Sequence, residues 1–141
     1  WNDLIAFQHK LINTDIHCVT KWSKLDTNWI GVSFDEILSN LSIEKKYQYI
    51  MAFSDGGYTT NIPIDDIING KGYLVYKYDN DDITPEHGGP VRLFIPHLYF
   101  WKSAKWIRGI KLLENDEPGF WEKYGYHMYG DPWKEQRYQG D

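Results

Sequence analysis

The chain has 141 residues, of which 42% are apolar and 25% charged, and it carries a net charge of −5 at pH 7. That length supports one hydrophobic core, and that composition excludes a disordered or fibrous chain. The acidic balance offers no general field for nucleic acid or an anionic membrane, and no apolar run reaches the roughly 18–20 residues that span a bilayer.

In chain order, Asn2 reads as the cap of a short helix whose apolar positions Leu4, Ile5, Phe7, Leu11 and Ile12 share a face. Asp15 to Thr20 reads as a strand, with Cys18 on or just beyond its end, and Trp22 to Trp29 reads as a polar loop. Ser33-Phe-Asp-Glu36 is a capping box, which predicts a helix from about Phe34 to Leu41. Tyr47 to Phe53 alternates as a strand with one aromatic face, and Ser54-Asp-Gly-Gly57 is a turn signal. Thr59 to Ile64 is extended, and Ile64 to Asn69 is a helical turn closed by Gly70. Tyr73 to Tyr78 is a strand, Asp79-Asn-Asp-Asp82 a turn, and Val91 to Ile95 and Ala104 to Leu113 are further strands. The tail from Pro118 to Asp141 is irregular and aromatic, with one helical turn at Phe120 to Tyr124. Strands interleaved with short helices, and no linker or repeat between them, predict a single α+β domain over residues 1–141.

Two stretches carry chemistry. Cys18 is the only cysteine, so no intramolecular disulfide is available and a reducing, cytoplasmic setting is expected. A free cysteine is ordinarily a small buried hydrophobe, but His17, Thr20 and Lys21 are polar neighbours, and a thiolate is a soft metal ligand. The second stretch runs from His87 to Lys111. Gly88 and Gly89 permit close backbone approach, while Arg92, Lys102, Lys105, Arg108 and Lys111 gather five cations in an otherwise acidic chain. Arg92 can fork onto a phosphate, and Lys105 and Ser103 add a point charge and a hydroxyl. Lys102 and Lys105 leave opposite faces of an ideal strand, so a bend there would favour a ligand site.

Other chemistries find no support. The histidines His9, His17, His87, His97 and His127 lack helical zinc spacing, and Asp65-Asp66 and Asp79 to Asp82 read as solvated. No nucleophile-elbow, Walker or dinucleotide fingerprint is present. A thiol nucleophile at Cys18 with His17 as base is disfavoured, because adjacent strand residues point to opposite faces.

Taken in order, Asp15-Ile-His-Cys-Val-Thr-Lys-Trp-Ser23, Asp55-Gly-Gly-Tyr-Thr-Thr-Asn61, Glu86-His-Gly-Gly-Pro-Val-Arg-Leu93, Tyr99-Phe-Trp-Lys-Ser-Ala-Lys-Trp106 and Gly130-Asp-Pro-Trp133 resemble the molybdopterin-binding domain of the sulfite-oxidase family. The likeness is to its small, haem-free prokaryotic branch. It implies mixed β-sheets with short helices and a mononuclear molybdenum held by one pterin dithiolene and one protein thiolate. The thiolate position matches Cys18, and the pterin and phosphate contacts match Ser54, His87, Arg92, Ser103, Ala104 and Lys105. His87 stands where some relatives have asparagine. Val19-Thr20-Lys21-Trp22 replaces the arginine-containing stretch that holds sulfite in vertebrate members, so sulfite is not the implied substrate. Relatives also carry an N-terminal segment that this chain, opening on Trp1, is expected to lack.

The resemblance implies an oxidoreductase that moves an oxygen atom to or from a small molecule. His17, Asp55, Tyr58 and the tail aromatics are the candidates for its substrate cleft. Without a Cys-x-x-Cys-His haem attachment or an iron–sulfur cysteine set, electrons are expected to pass to a separate partner. No nucleic-acid or membrane partner is expected. The alternative is a binding module of the same fold that holds no metal.

Overall fold

The computed structural model describes all 141 residues. Eight strands form two antiparallel sheets. The first has the order β1 (Lys10–Cys18), β2 (Trp22–Ser33), β5 (Tyr73–Tyr78), β6 (Asp81–Asp82), with β7 (Arg92–Phe94) also paired to β5. The second has the order β4 (Thr59–Pro63), β3 (Tyr49–Ser54), β8 (Ile107–Leu113). Three short helices, α1 (Asn2–Ala6), α2 (Phe34–Leu38) and α3 (Phe120–Lys123), decorate them. Leu93 of β7, with Phe34 at the start of α2 and Ile95 just after β7, meets Ile50, Ala52 and Ile62 of the second sheet in one buried cluster. This is the expected α+β arrangement of mixed sheets and short helices.

Several local expectations are corrected. Trp22 to Trp29 is not a loop but the first part of β2, in register with β1 from Cys18↔Trp22 to Lys10↔Gly31. Ladder hydrogen bonds pair backbone with backbone, so a hairpin partner can make a strand of a polar segment. Leu11 and Ile12 belong to β1, and α1 is capped by Trp1 without a side-chain hydrogen bond, not by Asn2. The helix from Phe34 stops at Leu38, although Ser33 caps it as expected, accepting from the Glu36 amide at 3.2 Å. On β3 the aromatic face is the outer one: Ile50 and Ala52 are fully buried and Phe53 is exposed. Asp81 and Asp82 pair with β5, and Ala104 to Trp106 precede β8 rather than start it. Asp66 is buried, not solvated, and accepts hydrogen bonds from His97 Nε2 and the Tyr129 hydroxyl, both at 2.8 Å.

Two connections set up the site. Residues 19–21 close the β1–β2 hairpin with Lys21 in the left-handed region and its amide donating to the Cys18 carbonyl, so Cys18 stands at the hairpin's tip. Residues 88–93 run against 104–107: the Trp106 amide donates to Gly88, Ile107 to Val91 and Leu93 to Ala104. The intervening chain folds through a tight turn at Phe100–Lys102. The buried Lys102 anchors that turn. Its ammonium donates to Asn61 O (2.7 Å), Asn61 Oδ1 (3.1 Å), Glu122 Oε1 (3.0 Å) and Met128 O (2.7 Å).

Candidate functional site

A cavity of about 550 Å³ opens where the hairpin tip meets this second connection, and Cys18, His87, Arg92, Ser103, Ala104 and Lys105 all line it. Six of the seven residues singled out in the sequence thus share one wall-to-wall space, although about 70 residues of sequence separate Cys18 from His87. The seventh, Ser54, ends β3 outside that lining, with its buried hydroxyl lacking a partner. Trp22, Tyr58, Phe100, Trp101, Trp106 and Trp121 complete the aromatic part of the wall.

Arg92 is the electrostatic centre of the cavity. It is 4% exposed, and no carboxylate pairs with it in a chain of net charge −5. Its two terminal nitrogens donate to the backbone carbonyls of His87 and Ser103, each at 2.7 Å, and its guanidinium lies 4.3 Å from the centre of the Phe100 ring. Its Nε finds no acceptor. Burial without a counter-charge pushes its pKa down to about 10. A buried cation lacking its anion costs several kcal/mol, so this arrangement is built for an anion that the chain itself does not supply. Lys105 repeats the pattern, donating to the Glu86 carbonyl at 2.8 Å with its ammonium beside the Trp106 ring.

The glycines are needed here for space. A Cβ on Gly88 would lie 2.7 Å from Cβ and Cγ of Lys105, and Gly88 has φ of +103°. A Cβ on Gly89 would lie 1.8 Å from the Ile83 carbonyl oxygen. Only bare backbone lets this strip close over the Arg92–Lys105 end of the cavity.

Cys18 is partly exposed, and its Sγ lies 3.1 Å from Thr20 Oγ1. His17 Nδ1 is instead 2.8 Å from Ser23 Oγ, and its ring meets Trp133 edge-on, so no thiol–imidazole pair forms. The Tyr58 hydroxyl donates to the Trp101 carbonyl. Burial, reinforced by the Glu122 carboxylate, holds that phenol well above its ordinary pKa and therefore protonated. The buried Trp101 Nε1 is a second donor at this wall without a partner.

Cys18 also lines a second hollow of about 520 Å³, shared with His17, Tyr99, Trp133 and Arg137. Arg137 reaches the hairpin through Nε to the Val19 carbonyl at 3.4 Å and ion-pairs with Glu135 at 3.1 Å. Of the substrate-cleft candidates, His17 and Trp133 line this hollow and Tyr58 lines the first, whereas Asp55 is at the surface, paired with Arg108 at 2.9 Å. Lys102 is buried away from the cavity, as described above, and Lys111 is exposed on β8. Sequence reasoning missed Trp101 and Arg137. Excess tryptophan was visible, but nothing in its spacing says which rings meet.

The sequence profile of the oxidoreductase molybdopterin-binding domain matches residues 1–121. The chain is 45% identical over 141 residues to an uncharacterized oxidoreductase, YuiH, of Bacillus subtilis, covering all of this chain and 71% of that protein. It is 24% identical over 130 residues to the catalytic subunit MsrP of a protein-methionine-sulfoxide reductase from Burkholderia mallei, covering 82% of this chain and 39% of MsrP. The crystal structure of the sulfane dehydrogenase SoxCD from Paracoccus pantotrophus superposes with a TM-score of 0.70 at 16% identity, covering 81% of this chain and 34% of that one, which shows a shared fold. The chain therefore spans well under half of MsrP and of the SoxCD chain. With its two sheets, its cysteine-tipped hairpin and a profile match over most of its length, the chain belongs to the sulfite-oxidase-type family of oxidoreductase molybdopterin-binding domains.

Proposed function

We propose that this chain is the catalytic, molybdenum-cofactor-dependent part of an oxidoreductase that transfers an oxygen atom to or from a small substrate. One observation carries the reading: the single thiol and two cations without carboxylate partners, Arg92 and Lys105, line the same cavity. A thiolate and an anion-binding end in one space are what a metal–dithiolene–phosphate group requires. The unpartnered Arg92 Nε and Trp101 Nε1, and the strip at Gly88 and Gly89 that a Cβ would fill, fit such a group.

Cys18 would hold the metal, and Arg92, Lys105, Ser103 and His87 the phosphate end, with the Ala104 backbone alongside. When bound, the cofactor supplies the two-electron redox centre at which oxygen is gained or lost. The residues of the chain do the rest. The aromatic wall keeps water out, the Arg92 fork fixes the anionic end, and the hollow that His17 and Arg137 share with Cys18 gives a substrate access to it. Electrons would pass to a redox group outside these 141 residues, a partner protein in our reading, because one cysteine cannot hold a cluster within them. The printed functions of MsrP and SoxCD concern different sulfur compounds, so they favour oxygen and electron transfer at small sulfur-containing groups without choosing among them.

The test is elemental analysis and pterin quantitation on the protein produced with cofactor synthesis and molybdate, followed by Cys18→Ser. We expect about one molybdenum and one pterin per chain, and loss of turnover in the variant. Full turnover by Cys18→Ser would overturn the assignment.

A further inference from the structure

Residues 131–136 form a loop that Asp131 and Gln136 close on each other. The Gln136 amide donates to the Asp131 carbonyl, and the Asp131 amide donates to Gln136 Oε1. This loop and the residue after it supply Pro132, Trp133, Glu135 and Arg137 to the hollow that Cys18 lines. Trp133 is 81% exposed, so its position is set by the loop rather than by packing.

His127 fastens both ends of that loop. Its backbone amide donates to the Arg137 carbonyl at 3.0 Å, where the loop returns. Its ring Nδ1 accepts from the amides of Tyr129 at 2.9 Å and Gly130 at 3.1 Å, where the loop departs. A side-chain acceptor that takes the amides two and three residues ahead is what asparagine and aspartate provide in turns, here built with an imidazole. Amides can only donate, so Nδ1 must be bare and the proton of the neutral ring sits on Nε2. The other groups of the turn are anchored elsewhere. Lys102 and Asn61 donate to the Met128 carbonyl, the Tyr129 hydroxyl donates to Asp66, and the Tyr99 amide donates to the Gly130 carbonyl. The two inner amides have the ring alone.

We propose that His127 is a positioning residue: its bare Nδ1 clasps the departing turn, and the clasp seats Trp133 and Arg137 in the hollow shared with Cys18. The inference rests on the reading above only in taking that hollow for the substrate's entrance; the clasp itself needs no cofactor. Without the ring acceptor the Tyr129 and Gly130 amides lose their bonds, while the anchors at Met128, Tyr129 and Gly130 keep the segment folded onto the domain. The wall of the hollow then loosens. Losing two ordinary hydrogen bonds raises the open population by about tenfold or more.

The test compares cofactor-free wild type with His127→Ala and His127→Asn. Amide hydrogen exchange at Tyr129 and Gly130 reads the clasp, and it should be about tenfold faster or more in His127→Ala. Cys18 is the only thiol, so its alkylation by iodoacetamide, followed by intact mass, reads the wall of the hollow and should also quicken. Asparagine restores an acceptor at Oδ1, so His127→Asn should return both rates to those of wild type. The imidazole nitrogen spectrum of wild type in neutral solution should show a bare Nδ1 and a protonated Nε2. Three results overturn the clasp: alkylation and exchange unchanged in the alanine variant, an asparagine variant as loose as the alanine one, or a protonated Nδ1 in wild type. If His127→Ala does not fold, the asparagine variant and the spectrum decide. Wild type that carries neither molybdenum nor pterin after production with molybdate sinks the cofactor reading and leaves the clasp standing.

Discussion

Replacing Lys102 with methionine removes the ammonium that ties the Phe100–Lys102 turn to β4 and to the C-terminal segment. The side chains of Lys102 and Glu122 are both fully buried, 3.0 Å apart. Desolvation pulls the lysine pKa down, and the Glu122 charge and hydrogen bond resist it. Methionine fills similar volume, so the dominant loss is electrostatic: Glu122 is left as a buried carboxylate whose Oε1 retains only Thr60 at 2.9 Å and whose Oε2 already lacks a partner. Breaking one side of a buried pair costs about 3–5 kcal/mol. For a chain of 141 residues the unfolding entropy is about 0.3 kcal/mol per degree, so the melting temperature should fall by about 10–17 °C. The assay is thermal unfolding by circular dichroism, with urea titration for the free energy. Adding Glu122→Gln removes the stranded charge while keeping an acceptor for Thr60, and should recover at least half the loss. A single variant that loses under about 1 kcal/mol, or a double variant no more stable than the single, would refute the reasoning, since exposed pairs contribute only that much.

Gly89→Ala should destabilise by about 2 kcal/mol or more, because its Cβ would overlap the Ile83 carbonyl; denaturant midpoints check this, and a neutral outcome contradicts the close approach. Arg92→Lys keeps the charge but loses the fork to His87 and Ser103. It should cost about 1–2 kcal/mol of stability, and the protein should retain less than a tenth of wild-type pterin through gel filtration. Burial raises the Asp66 carboxyl, but the His97 and Tyr129 hydrogen bonds and the His97 charge outweigh it and hold its folded pKa below the ordinary value. Its stabilisation is therefore complete above the unfolded carboxyl pKa of about 4 and disappears as pH falls through the lower folded value. Asp66→Asn should flatten that acid limb of the stability curve, and an unchanged limb argues against the pair.

Much of the site was legible because its chemistry is carried by rare residue types. Cys18 has no rival for a soft-ligand role, and Gly88, Gly89, Arg92 and Lys105 lie within 18 residues of one another. Alternation also located β3, where one face is buried, and β5, whereas β4 was legible only as an extended stretch. It failed on Trp22 to Trp29, because strand character there comes from pairing with β1 and not from an apolar face. It failed again on Asp66 and Lys102. Both are buried polar groups whose partners, Tyr129 for one and Glu122 for the other, lie 63 and 20 residues away, and single-sequence patterns default such residues to solvent. The setting of the Asp79–Asp82 turn escaped for a related reason. Asp79 to Asp82 announce a turn, and only the fold sets that turn beside Trp22 and Trp29.

Molybdenum K-edge X-ray absorption on the cofactor-loaded protein and on Cys18→Ser addresses the Cys18 ligand most directly. The wild-type metal should show three sulfur neighbours, two from the dithiolene and one from the hairpin tip, and the variant two. An unchanged sulfur shell in the variant would contradict the account, whatever its activity.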